Sequence, residues 1–477
     1  DSHTGFTVVS EGFWQPEANG SLRKGEGMED NKRNQPSGSS SAQRTSGAKS
    51  TETAKEISGM IRRFYAAAQE AAQQGEPVAY SMMGSIPPEL FVASGIRVVY
   101  PEHYGTVCAA KHCNMPFLER AEEHGFAPYV CSYARNWLGY ASKMQDLGDI
   151  PPEAPWGGLP RPTMLLGRSS CEAGYRGFQS FSRYLQVPVF VYDRKNHLPA
   201  GLDLEDAELK RRYIEFEKGQ IRSLVAFLEK HSGRKVRWDE VSEAIVRHHE
   251  ARRLWHEIYQ LRKTVPSPLP SGDIAVCIFP LFYLMGTQEA LDFYRKLHQE
   301  VKWRVDHGIG VIPNEKYRLL WGGIAQWHNL GFFNALESRG GVFVVEDIYY
   351  NDPLIEVDPS DPVQAIAERA FADAVNRARR AKSFGGVGDR RAGLILELVR
   401  DYHVDGAVLH LIASCRPVCL GWTHVGNMLR QHLQVPALAL ESDIADTRAY
   451  SEAQTMAQLD AFVDAIEAHK GKSKASR

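Results

Sequence analysis

Three cysteines stand in comparable settings: Cys131 in YVCSYAR, Cys171 in SSCEAG and Cys415 in ASCRPVCLG. Each is flanked by small or polar residues, and none sits inside an apolar helical face. Thiolates brought together from distant segments can hold an iron–sulfur cluster, and a set of three would leave one iron open to a substrate oxygen or a water. The competing reading is that buried cysteines are common and inert. The chain has no C-x-x-C pair, so the zinc-ribbon and ferredoxin patterns are missing. Cys415 and Cys419 make a weaker local pair. Cys108, Cys113 and Cys277 read as structural.

A second candidate group follows a strand end at Tyr100-Pro101. Glu102 and His103 there could work as acid and base; the alternative is a solvated loop carboxylate. Ser81, Gly84 and Ser85 surround a tight turn whose backbone N–H groups could meet an anion or a carbonyl. His248, His249 and His256 share one expected helix but do not make an H-E-x-x-H pattern, and they read as surface or core histidines. No G-x-G-x-x-G, P-loop or G-x-S-x-G elbow appears. Simple nicotinamide, ATP-hydrolysing and serine-hydrolase readings therefore lack their usual marks.

The elements that must position these residues form a repeated pattern. PTMLLG reads as a strand, RSSCEAGYRGFQSFSRYL as a turn and helix, and QVPVFVYD as a strand. Near the C-terminus DGAVLHL, IASCRPVCLGWTHVGNMLRQHL and QVPALALESD repeat that order. Both units run strand, cysteine turn, helix, Gln-Val-Pro, strand, acid. Ligands of open parallel sheets sit beyond the carboxyl ends of the strands, where both cysteines fall. The expected fold is α/β, with two Rossmann-like parallel-sheet lobes, a helical segment between them and an N-terminal helical and α/β portion. The expected divisions are a disordered or extended segment over 1–51, an N-terminal lobe over 52–202, a helical segment over 203–312 and a C-terminal lobe over 313–477. Residues 274–305 fit a strand or a helix pair on apolarity alone, with their length favouring the pair.

The 477 residues carry 56 Lys and Arg against 58 Asp and Glu, a net charge of −2. Bulk charge therefore does not favour a nucleic-acid partner. No apolar run reaches the ~20 residues that span a bilayer, and no signal peptide is visible. Seven sparse cysteines do not make a disulfide framework, which points to the cytoplasm.

Several of these segments resemble a known family. IPPELFVASGIRVVYPEHYGTVCAAK, YVCSYARNWLGYA, the strand–SSC turn, and DGAVLHLIASCRPVCLGW with ESDIADTRAY are similar to the 2-hydroxyacyl-CoA dehydratase and benzoyl-CoA reductase family, over roughly residues 52–470. The resemblance implies an oxygen-sensitive enzyme of two related subunits. Each would bind an iron–sulfur cluster, 4Fe–4S or in some relatives double-cubane, through three cysteines that match Cys131, Cys171 and Cys415 by position. It also implies a separate ATP-hydrolysing iron–sulfur activator that injects a low-potential electron, and an acyl-CoA thioester as acceptor. In dehydratases a ketyl radical then expels the 2-hydroxyl group; in the reductases an aromatic ring takes up electrons and protons. Glu102 would offset negative charge developing at the carbonyl.

Gly84 stands where substrate-binding dehydratase subunits tend to have serine, with Ser85 adjacent, and VCSYARNWLGY is closer to the reductase branch. The expected activity is therefore that of an iron–sulfur subunit of an ATP-dependent benzoyl-CoA reductase-type enzyme. The alternatives are a subunit of a radical (R)-2-hydroxyacyl-CoA dehydratase and a non-catalytic partner. The expected partners are a homologous second subunit, the activator and the acyl-CoA, with no nucleic acid and no membrane. Arg161, Arg168 and Arg194 could meet phosphates, and Asp443, Asp446 and Arg448 could line the site or cap the last helix.

Overall fold

The computed structural model describes residues 50–84, 86–193, 198, 202–382 and 390–475. Most of the segment expected over 1–51, together with Ser85 and Arg194, lies outside them.

The chain opens with α1 (Glu52–Lys55) and α2 (Ile57–Gln73). Next come β1 (Val78–Ser81), α3 (Pro88–Ser94), β2 (Arg97–Val99), α4 (Pro101–Ala110), α5 (Met115–Glu123) and α6 (Ser132–Leu147). The first lobe closes with β3 (Met164–Arg168), α7 (Phe178–Leu185) and β4 (Val189–Tyr192). Four helices follow: α8 (Ala207–Ser232), α9 (Trp238–Leu261), α10 (Ser271–Tyr283) and α11 (Gln288–Asp306). The second lobe holds β5 (Tyr317–Gly322), β6 (Gly341–Glu346), α12 (Pro362–Lys382), α13 (Arg390–Asp401), β7 (Gly406–Ile412), α14 (Arg416–Cys419), α15 (Trp422–Met428), β8 (Ala437–Ser442) and α16 (Glu452–Ala475). The segment over 274–305 is thus a helix pair, whose second member is capped by the Thr287 hydroxyl accepting from Ala290 N–H.

Two four-stranded parallel sheets result, ordered β2-β1-β3-β4 and β6-β5-β7-β8. The two orders are the same. In each sheet the connection reverses direction between its first and third strands, which opens a crevice at their carboxyl ends. Strands β1, β5 and β6 are buried along their whole length, as parallel strands covered on both faces must be. Their near-continuous apolar runs follow from that burial. One hydrophobic core joins the lobes, containing Tyr80 and Leu165 of the first sheet and Trp321 and Leu409 of the second.

The helical layer is tied to the second sheet by a buried ion pair. Arg262, just after α9, donates from Nη1 to Glu346 Oε2 at 2.7 Å and from Nη2 to Oε1 at 2.8 Å. Both side chains are fully buried. Tyr259 Oη donates to the same carboxylate at 2.8 Å, and Ser271 Oγ does so too. Removing one member of such a pair leaves an uncompensated buried charge and costs about 3–5 kcal/mol. Arg262→Met should therefore lower stability by that order in denaturant unfolding. Arg262→Met with Glu346→Leu should recover most of the loss, and a double variant as weak as the single would refute this account.

Candidate functional site

Each of the three candidate cysteines stands where a helix or helical turn begins. Cys131 is the N-cap residue of α6 and Cys415 that of α14. Cys171 follows β3 and leads into the turn Ala173–Gly177 ahead of α7. In each case a backbone N–H three residues on (Ala134, Gly174 or Val418) favours the thiolate. At Cys131 and Cys415 it does so without closing a regular capping hydrogen bond. Burial works against ionisation and dominates. It raises the Cys131 and Cys171 thiols and pushes Cys415 up to about 12. Neighbouring acids add to the rise. Cys131 feels both Cys415 and Cys171, Cys415 feels Cys171, and Cys171 feels Glu102.

The turns of Cys131 and Cys415 are joined through Asp443, which follows β8. Its Oδ2 accepts from Ser414 N–H at 3.1 Å and from Ser414 Oγ. Its Oδ1 accepts from the N–H groups of Ala445 and Asp446, both at 3.0 Å. Ser414 Oγ in turn accepts from Ser132 N–H at 3.0 Å. The residue after Cys131 and the residue before Cys415 are therefore linked directly. A second tie joins Asp446 to Arg135 of α6 at 3.0 Å, so Asp443 and Asp446 serve the joint between lobes.

Glu102 is not a solvated loop carboxylate. α4 begins at Pro101, a residue suited to the first helical position, so Glu102 falls in the first turn and is buried. Its Oε2 accepts from Met83 N–H at 2.6 Å. Burial raises its pKa, and the charge of Arg168 and the Met83 bond oppose the rise. Arg168 Nη1 donates to the carbonyls of Met83 at 3.1 Å and Gly84 at 3.3 Å. The turn after β1 is thus held from both ends, and Gly84 adopts φ +62° there, a conformation costly for any other residue type. His103 lies 2.7 Å from Tyr65 Oη through Nδ1, and burial pushes its pKa down to about 3, so the ring stays neutral.

All five expected site residues, Glu102, His103, Cys131, Cys171 and Cys415, line one cavity of about 660 Å³. Its wall beside Glu102 is aromatic: the rings of Tyr283 and His103 are 4.6 Å apart and those of Tyr283 and Tyr100 4.7 Å. Tyr133 also lines the cavity and its hydroxyl accepts from Trp327 Nε1–H. Sequence reading missed this wall, because α10 and Trp327 look like ordinary core. Cys108 and Cys277 are buried core residues. Cys419 donates from Sγ to Cys415 O at 2.9 Å. Arg161 donates to Leu185 O and is not part of the cavity wall. His248 is a core histidine, 2.6 Å from Glu89.

Among the described residues no three His, Cys, Asp or Glu side chains are spaced for a single metal ion. A polynuclear cluster is wider than an ion, and its cysteine ligands stand correspondingly farther apart. The donor set fits such a group. It offers three sulfurs, each favoured as thiolate by a backbone N–H and each held protonated by burial and by the acids around it, so a cationic iron core would supply the missing positive charge.

Known proteins are similar to this chain in sequence. The family model for "2-hydroxyglutaryl-CoA dehydratase, D-component" matches residues 84–466, and the chain belongs to that family. It is similar to the lactoyl-CoA dehydratase alpha chain of Anaerotignum propionicum, 25% identical over 422 residues, covering 84% of this chain and 93% of that one. The (R)-phenyllactyl-CoA dehydratase alpha subunit of Clostridium sporogenes is 26% identical over 407 residues, covering 84% and 93%. A benzoyl-CoA reductase subunit of Thauera aromatica is 24% identical over 362 residues, covering 73% and 79%. The first two favour the dehydratase alternative over the reductase expectation drawn from VCSYARNWLGY. These relatives are subunits of multi-subunit enzymes. No helix among the described residues is long and apolar enough to cross a membrane.

The Ser414 link has a direct check. Ser414→Ala strands the buried Ser132 N–H, so stability should fall by about 1–3 kcal/mol in denaturant unfolding. Maleimide labelling of Cys131 should quicken in the same variant. Unchanged labelling and stability would mean that the link does not hold the turns.

Proposed function

We propose that this chain is the iron–sulfur subunit of an ATP-activated (R)-2-hydroxyacyl-CoA dehydratase, working with a homologous second subunit and a separate ATP-hydrolysing activator. The observation that carries this reading is the convergence of Cys131, Cys171, Cys415 and Glu102 on one cavity at the strand ends. The similarity to dehydratase alpha subunits supports that branch. All seven cysteines are free, in keeping with a reducing compartment such as the cytoplasm.

Cys131, Cys171 and Cys415 would hold a 4Fe–4S cluster. When bound, that group supplies the low-potential one-electron chemistry that side chains cannot. The chain's own residues bind and orient the thioester. Glu102 has one carboxyl oxygen taken by Met83 N–H, and burial favours a proton on the other; in that protonated form it donates a hydrogen bond to the thioester carbonyl oxygen as negative charge develops there. His103, neutral and oriented by Tyr65, offers a ring nitrogen to the substrate hydroxyl. The aromatic wall of Tyr100, Phe279 and Tyr283 excludes water and suits an apolar acyl chain.

The test is iron and acid-labile sulfide on anaerobically purified protein with its partner, followed by turnover with activator and ATP. About four irons per chain and loss of a 2-hydroxyacyl-CoA with release of the enoyl product are expected. Cys131→Ala, Cys171→Ala and Cys415→Ala should each lose that iron. Full iron in all three, or consumption of benzoyl-CoA alone, overturns the reading. Glu102→Ala should keep its iron yet lower kcat about 10²- to 10³-fold, the usual cost of losing one such donor.

A further inference from the structure

Tyr133 stands near the start of α6, and its side chain is held from both lobes. In the first lobe α4 packs against the ring at Gly105, where a Cβ would lie 3.4 Å from Tyr133 Cδ1. From the second lobe Trp327 donates its indole Nε1–H to Tyr133 Oη. Trp327 is tied in turn to the segment after β8, its backbone N–H donating to Ile444 O at 3.2 Å. Tyr133 and Trp327 are both buried, and both line the cavity.

An indole N–H can only donate, so the tyrosine oxygen is the acceptor in that bond. The phenol proton has to go elsewhere. Among the described residues, the remaining polar contact of Tyr133 Oη is with Thr106 Oγ1 at 3.4 Å. A good O–H···O bond spans about 2.5–3.0 Å, so this contact is a weak one. Thr106 Oγ1 lies at a similar distance, 3.3 Å, from Glu102 O one turn back in α4. Tyr133 therefore keeps a donor whose place is fixed and whose proton has no close acceptor.

We infer that Tyr133 donates a hydrogen bond to the thioester carbonyl oxygen beside Glu102, and that Trp327 is the residue that positions it. This rests on the acyl-CoA reading above and gives the same oxygen a second donor.

Glu102 and Thr106 are four residues apart on one face of α4, and both line the cavity. Thr106 stands between the Glu102 backbone and the Tyr133 hydroxyl, so the two donors reach one stretch of the cavity from α4 and from α6. A carbonyl oxygen has two lone pairs and can accept from both. Donors fixed in advance need no reorganisation when negative charge develops on that oxygen. The Trp327 bond adds to this, because a hydroxyl that accepts one hydrogen bond is polarised toward donating another. The substrate hydroxyl is a competing acceptor of the same chemistry. His103 already serves that group, and an oxygen gaining negative charge is the stronger acceptor. The carbonyl is therefore the acceptor assigned.

The experiment uses the two-subunit protein without activator or ATP, so that bound thioester is not turned over. The probe is hexanoyl-CoA, isotope-labelled at the thioester carbonyl and read by isotope-edited infrared spectroscopy. Tyr133→Phe should move the bound carbonyl band to higher wavenumber and leave the iron content unchanged. It should raise the Kd about two- to tenfold, the range of one neutral hydrogen bond. A ring-fluorinated tyrosine placed at the same position is a stronger donor of nearly the same size, and should move the band to lower wavenumber even where the phenylalanine variant fails to fold. Trp327→Phe should raise the band by less, and combining it with Tyr133→Phe should raise it no further than Tyr133→Phe alone. An unmoved band in the fluorinated protein or in folded Tyr133→Phe would make Tyr133 a bridge between lobes only, and overturns the inference. A loss of affinity confined to 2-hydroxyhexanoyl-CoA would give the donor to the hydroxyl and overturns it too. If the band responds while activator and ATP consume no 2-hydroxyhexanoyl-CoA, the donor pair stands and the dehydratase reading fails. If dehydration proceeds and the band does not move, that reading stands and the inference fails.

Discussion

The geometry of the cysteine turns depends on the buried carboxylate of Asp443. It accepts four hydrogen bonds, from Ser414 N–H and Oγ and from the N–H groups of Ala445 and Asp446. Through Ser414 it reaches Ser132 N–H at the start of α6. The end of β8, the turn before Cys415 and the helix after Cys131 are thereby fixed to one another. In a low-dielectric interior such a chain is strong when complete and costly when broken. Two cysteines more than 280 residues apart in the chain keep their relation because a backbone N–H and a hydroxyl meet at 3.0 Å.

Burial then decides the chemistry of what that joint holds. The same desolvation that raises the three thiols raises Glu102 and lowers His103. The cavity thus holds groups whose burial disfavours their charged forms. A neutral carboxyl donates where a carboxylate only accepts. Neutral thiols crowded against one another have much to gain from a cationic partner.

The two lobes are built on one plan. Their sheets share a strand order, and a cysteine turn follows the third strand of each. Gln186 and Gln434 both adopt the left-handed conformation, with φ 51° and 56°. Each ends its helix and is followed by Val-Pro, which favours an extended chain into the next strand. Cys131 breaks the symmetry. It belongs to α6, an element of the first lobe that reaches the second through Ser414 and Asp446.

Much of this was determined by the sequence alone. Continuous apolar runs such as MLLGR and GVFVVE specify buried parallel strands, and the recurring cysteine turn with Gln-Val-Pro specifies two α/β lobes, because these signals are local. Cys131, Cys171 and Cys415 were legible as a set from their small, polar flanks, and Glu102 from its place after a strand end. Only the tertiary structure decided that Glu102 is buried in a first helical turn, since Pro101 stops a strand as readily as it starts a helix. Asp443 could be read from the sequence as lining the site or capping the last helix; its part in joining the turns appears only where folding brings Ser414 and Ser132 to it, because partners so far apart in the chain are set by packing alone.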